Sequence, residues 1–155
     1  MTKATTTACF LLRHADAGSR GVVDDDERSL SKKGRAQAER LATVHSTTAI
    51  TTIISSPYTR CVQTVEPLAR AMRVEVELDR ALGEGSGPAR AMAIIEAATG
   101  ATVLCSHGDV IGDVLTLIAR RGIPLDDDRL AKASMWKLTV TEGTIRSAHY
   151  VSPPT

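Results

Sequence analysis

Apolar positions along the chain fall into short continuous runs separated by stretches of helical period. Cys9, Phe10, Leu11 and Leu12 form a run bounded by polar residues, which predicts a strand buried on both faces of a parallel sheet. Ile50 to Ile54, rich in β-branched residues, and the short apolar run Thr102 to Cys105 read as further strands, while Val74, Val76 and Leu78 alternate with Glu75, Glu77 and Asp79 as in a half-exposed strand. Between them, Ala38, Leu41, Ala42 and Val44 make a stripe in a helix predicted over Lys32 to His45, with Ser31 as its N-cap. Cys61, Val62, Val65, Leu68 and Ala69 do the same in a helix whose first position suits Pro57. Further helices are predicted from Ala89 to Thr99 and directly after Gly108, where Ile111, Val114, Leu115 and Ile118 face the core. Ala133 to Val140 and Thr144 to Val151 read as a closing hairpin through Glu142 and Gly143, and Ser152 to Thr155 as a tail. The elements predict one α/β domain over residues 1–155: a three-layer sandwich with a mostly parallel central sheet, helices on both faces and a C-terminal β-hairpin.

Chemistry collects where these strands end. Arg13 and His14 follow the first strand, and Ser106, His107 and Gly108 follow Thr102 to Cys105. Ile53 to Arg60 (IISSPYTR) is a β-branched strand, a Ser-Ser-Pro turn and an arginine one turn into a helix. A lone histidine after a strand is most often a hydrogen-bonded structural residue, but two histidines and two arginines arrive here by the same design. Strand carboxyl ends are where open α/β sheets bind ligands. Two guanidiniums and one imidazole can cage the oxygens of a phosphoryl group, which forked guanidiniums do better than lysines, and the second imidazole can attack phosphorus. Arg60 also lies near a helix N-terminus, which already favours an anion.

Arg13-His14-Ala15, Ser56-Pro57-Tyr58-Thr59-Arg60 and Ser106-His107-Gly108 stand in the order and roughly the spacing of the motifs of the histidine phosphatase (phosphoglycerate-mutase-like) superfamily, branch 1, and the chain resembles that family over nearly its whole length. In detail it is most similar to the short SixA-like phosphatases of protein phosphohistidine and to the phosphatase-like domain that follows a Nudix domain in some nucleotide hydrolases. The resemblance implies a phosphatase with His14 as nucleophile and Arg13, Arg60 and His107 around the phosphate. It also implies that Glu84, in the Gly-rich loop Ala81 to Pro88, donates the proton to the leaving group. Ala15 departs from the usual glycine, so either the backbone there is ordinary or the loop is remodelled.

Composition narrows the partners. A net charge of +1 offers no basic excess for nucleic acid or a membrane surface, and one Phe, one Trp and two Tyr offer no stacking platform. Cys9, Cys61 and Cys105 sit in or beside apolar runs without metal-ligand spacing, so buried thiols in a reducing compartment are expected, with no metal and no cofactor. The N-terminal apolar run is too short for a secretory signal and no segment reaches the roughly 18 apolar residues of a membrane span; the expected compartment is the cytoplasm.

Other residues carry weaker expectations. Asp109 reads as a first-turn acid complementing a helix dipole and as the second candidate proton donor. Asp16 and Ser19 are near enough to His14 in sequence to touch a phosphate or orient the imidazole, and Ser19 and Asp109 are candidate substrate-binding residues. The run Asp24-Asp25-Asp26-Glu27 reads as a solvated loop, or as a surface selecting basic partners. His45 is expected to complement its helix's C-terminal dipole, and His149 to be structural.

The reaction expected is phosphoryl transfer through a covalent phosphohistidine on His14, without metal. About two dozen residues separate Leu78 from Thr102, too few for a large cap, so the site is expected to be open. That suits a phosphorylated protein such as a phosphohistidine-bearing phosphotransfer domain. A small phosphate ester, nucleotide or sugar phosphate is the alternative substrate, and a non-catalytic phosphate-binding domain the alternative of another class; monomer and dimer stand equally open.

Overall fold

The computed structural model describes residues 5–21 and 23–155. Six strands form one sheet, β1 (Thr6–Arg13), β2 (Thr52–Ser55), β3 (Val76–Leu78), β4 (Thr102–Ser106), β5 (Met135–Thr141) and β6 (Thr144–Val151), in the order β3-β2-β4-β1-β5-β6. β3, β2, β4 and β1 pair in parallel, and β5 runs antiparallel to both β1 and β6. The four longer helices are α1 (Lys32–Val44), α2 (Thr59–Met72), α3 (Ala89–Ala97) and α4 (Gly108–Arg120). The three-layer α/β sandwich and the closing hairpin therefore stand as expected.

Alternation along β1 divides the core. Cys9 and Leu11 join a cluster with α3 and α4 residues such as Ile95 and Val114, whereas Phe10 and Leu12 join one with Leu41 of α1 and Leu68 of α2. The chain steps outward from β1 past β4 to β2 and β3, then returns to β4. Because parallel crossovers are right-handed, that reversal puts the outgoing helices on one face and the returning ones on the other. Such a reversal is the topological switch point where open α/β sheets leave a crevice. Register sets the crevice floor: Arg13 lies opposite Ser106, and Ser55 opposite Cys105, so β1, β2 and β4 end together.

Boundaries differ from the sequence expectations in instructive places. β1 is longer, starting at Thr6, because β5 pairs with it from that residue onward. Tyr58 is the N-cap of α2, so Pro57 lies just outside the helix and not at its first position. β2 begins at Thr52, where its register with β4 starts opposite Thr102. His45 is the C-cap of α1 through its backbone N–H, and its ring packs against Phe10 at 6.2 Å, where burial lowers its pKa and so works against the cation that a dipole partner would be. Glu142 and Gly143 both take positive φ, giving the primed turn that joins β5 to β6.

Candidate active site

His14 leaves the end of β1 and is 6% exposed. Its backbone N–H donates to the Ser106 carbonyl and the Ala15 N–H donates to Thr64 Oγ1 at 2.9 Å, which fixes the chain beyond the strand. Ala15 is fully buried and does not take positive φ, so the backbone at this departure from the family glycine is ordinary. His14 Nδ1 lies 2.8 Å from the Ala15 carbonyl oxygen. A carbonyl only accepts, so Nδ1 carries the hydrogen and Nε2 keeps its lone pair. Burial first, with the charges of Arg60, His107 and Arg13 adding to it, lowers the His14 pKa to about 3. The ring is thus neutral throughout the physiological range.

His14, Arg13, Arg60 and His107 line one cavity of about 430 Å³ at the sheet's crevice. The His14 and His107 rings meet edge to face at 5.5 Å. His107 is fixed by Ser56 Oγ at 2.9 Å from its Nε2 and by the Tyr58 ring at 4.5 Å. Arg13 donates from a terminal nitrogen to the Leu130 carbonyl at 2.6 Å, and its guanidinium lies flat against Gly108, where a Cβ would come within 3.1 Å of it. Glycine there is what lets the arginine approach the start of α4. Arg60 is 1% exposed, stacks over Tyr58 at 4.9 Å and donates to the carbonyl and carboxylate of Asp25 and to Glu84.

Four buried side-chain N or O atoms among the described residues have no hydrogen-bond partner, and three of them are Arg13 Nε, Arg60 Nε and His107 Nδ1. Buried polar atoms are nearly always paired, and an exception asks for an explanation. Its concentration in the lining of one cavity matches an anion with several acceptor oxygens.

Both candidate acids reach the cavity, at its rim. Glu84 Oε2 is 3.3 Å from Arg60, and Asp109 Oδ2 accepts the Gly85 N–H at 2.7 Å, so Asp109 also anchors the loop that carries Glu84. Ser19 is exposed and does not line the cavity. Asp16 turns toward α1: its carboxylate accepts the Ser31 hydroxyl at 2.6 Å and pairs with Lys132 at 3.6 Å. The acidic run is more than a solvated loop. It winds into a short 3-10 turn, Asp25–Glu27, in which Asp25 pairs with both Arg28 and Arg60, and those two arginines hold its carboxylate below the usual range against the opposing effect of burial.

Sequence reasoning missed Arg20, Arg28, Leu130 and Lys132, which also line the cavity. Arg28 could have been suspected as a basic residue beside an acidic run, but nothing local marks Leu130 or Lys132. The three cysteines are buried and unbridged, as expected, and Cys61 Sγ lies 3.6 Å from His107 Nε2. Among the described residues no group of three or more His, Cys, Asp and Glu is disposed to hold a metal ion, and no helix is long and apolar enough to cross a membrane.

This architecture is shared with solved proteins. The chain matches the protein histidine phosphatase SixA in complex with tungstate with a TM-score of 0.77 and 16% identity, covering 96% of this chain and 97% of that one. A mycobacterial glucosyl-3-phosphoglycerate phosphatase gives 0.67 and 20%, covering 96% and 100%. These are likenesses of fold. By sequence, the chain is 32% identical over 158 residues to an 8-oxo-(d)GTP phosphatase of Mycolicibacterium smegmatis, covering 96% of this chain and 49% of the relative; it spans about half the length of that protein. The family described as Histidine phosphatase superfamily (branch 1) matches residues 9–98, more than half of the 155, and with the crevice built as above this chain belongs to the histidine phosphatase superfamily, branch 1.

Proposed function

We propose that the chain is a single catalytic domain that hydrolyses phosphate compounds through a phosphohistidine on His14. The observation that carries this reading is the tautomer and setting of His14: Nδ1–H is spent on the Ala15 carbonyl, and the neutral ring stands in a cavity with Arg13, the buried Arg60 and a second histidine. Nε2 attacks phosphorus in line, an N–P bond forms and the bond to the leaving atom breaks. Arg13, Arg60 and His107 hold the equatorial oxygens as charge spreads over them. Glu84 gives its proton to the leaving atom, and then, as carboxylate, takes one from the water that cleaves the N–P bond and releases inorganic phosphate.

For the substrate we put a small phosphate ester or anhydride of nucleotide type first. Its support is the similarity over 96% of this chain to a relative named as an 8-oxo-(d)GTP phosphatase. Protein phosphohistidine is the second reading, supported by the fold shared with SixA across nearly both chains and by the short β3–β4 connection that leaves the crevice without a large cap. The test sets wild type and His14→Ala, with and without EDTA, against nucleotides, simple phosphate esters and a phosphohistidine-bearing phosphotransfer protein. Hydrolysis by wild type, its loss in His14→Ala and retained binding of inorganic phosphate are expected. Undiminished hydrolysis by His14→Ala would end the nucleophile assignment, and phosphate binding without any turnover would make the domain a binding module.

A further inference from the structure

A second cavity, of about 540 Å³, runs beside the first along α4. Gly112, Leu115, Thr116 and Ala119 form its α4 wall, and Leu125 and Trp136 stand among its other lining residues. Those α4 positions continue, at three- and four-residue steps, the stripe that begins at Gly108 in the phosphate cavity. Leu130 lines both cavities, and its carbonyl holds Arg13. The two cavities thus share one helix face and one loop residue.

Gly112 is the second observation. Glycine inside a helix costs stability relative to alanine, and a fold retains it where φ is positive or a neighbour would clash. Gly112 meets neither condition: its φ is not positive, and a Cβ built there finds nothing within 4 Å. No protein atom requires the bare backbone, and Gly112 is the groove residue of α4 that lies one turn beyond Gly108 of the phosphate cavity.

We propose that this groove is the leaving-group subsite, and that it takes a flat heteroaromatic ring joined to the phosphate through a sugar, as in a purine nucleotide. The inference rests on the phosphatase reading above. At about 1.5 Å per residue the groove begins about 6 Å beyond Gly108 and ends about 16 Å beyond it, so the ring needs a spacer between itself and the phosphate. The volume and the apolar lining are those of a small-molecule site, and bare backbone and small side chains at Gly112 and Ala119 suit the face of a ring. Arg120, Asp127 and Asp128 line the same groove; Asp127 is held by Arg129 at 2.6 Å, which leaves the Arg120 guanidinium as donor and the Asp128 carboxylate as acceptor for the ring's polar edge.

Filling the groove tests this. Wild type, Gly112→Leu and Ala119→Leu are compared on GMP, on glycerol 3-phosphate and on a phosphohistidine-bearing phosphotransfer protein, with a thermal melt of each variant. Wild type is expected to prefer GMP over glycerol 3-phosphate, and in both variants the ratio of the two kcat/KM values is expected to fall at least tenfold, through KM for GMP. Should one variant fail to fold, the other and the milder Gly112→Ala carry the comparison. An unchanged ratio, or wild type without preference for GMP while it hydrolyses glycerol 3-phosphate, overturns the subsite and leaves the phosphatase reading standing. Selective loss of the protein substrate gives the groove to a protein partner and also overturns the proposal. Inactivity of wild type on all three substrates and on GTP overturns both readings together.

Discussion

Lowering the pH in the absence of phosphate should unfold this protein through His14 more than through any substitution-matched control. The folded-state pKa of that ring is about 3 against an ordinary 6.5, because burial and the neighbouring cations oppose its charge. Between those two values the unfolded chain binds a proton that the folded chain refuses, so stability rises with pH across the window and is lost as pH falls below 6.5. At pH 4.5 the loss assigned to this one group is about 2.7 kcal/mol, two pH units below the unfolded value at about 1.36 kcal/mol each. At pH 7.5 it is close to zero. Urea unfolding of wild type and His14→Asn at both pH values isolates it, because ionisable groups distant from the cavity are common to both chains and their contributions cancel. Wild type is expected to lose about 2.7 kcal/mol more than the variant on acidification. Inorganic phosphate should shrink that excess, since a bound anion offsets Arg13 and Arg60. Equal losses in the two proteins would refute the buried, neutral His14 on which the nucleophile argument depends.

Two further outcomes follow from contacts around the site. Gly34, in the first turn of α1, lies so close to the Asp16 carbonyl that an added Cβ would run into its oxygen; Gly34→Ala should cost about 1–3 kcal/mol in urea unfolding as the overpacked loop shifts, and no loss would show that Asp16 is loosely held. Glu84→Gln should lower kcat by about 10²–10⁴ on alkyl phosphates, whose leaving oxygen needs a proton, and far less on p-nitrophenyl phosphate. Asp109→Asn keeps an oxygen to accept the Gly85 N–H and should do less; the reverse ranking would make Asp109 the donor.

What the sequence made legible were features written locally. Runs such as Cys9 to Leu12 are apolar because both faces of the sheet are covered, and the polar residues ending them, Arg13, His14 and His107, had to emerge at the carboxyl edge where the cavity lies. Arg60 was legible for the same reason, one turn past β2. What escaped depends on contacts distant in sequence. Asp25 is 35 positions from Arg60, and its pairing there depends on a 3-10 turn that no apolar period announces. Gln37 and Gln63 accept the backbone N–H groups of Asp16 and Leu30 and so hold the loop beyond His14, yet each reads in sequence as an exposed helix polar. Gly34 and Gly108 are required by close approaches that only the assembled fold creates. The order of the sheet is likewise written in no residue pattern, and crossover handedness fixes only which face each connecting helix covers.

The central claim is a covalent intermediate on His14, and rapid quenching during turnover of a radiolabelled phosphate substrate tests it most directly. Label that is stable to alkali, labile to acid and confined to the peptide holding His14, and that is absent from His14→Ala, is the predicted result. Turnover at full rate with no label on His14, or label on another residue, would contradict it.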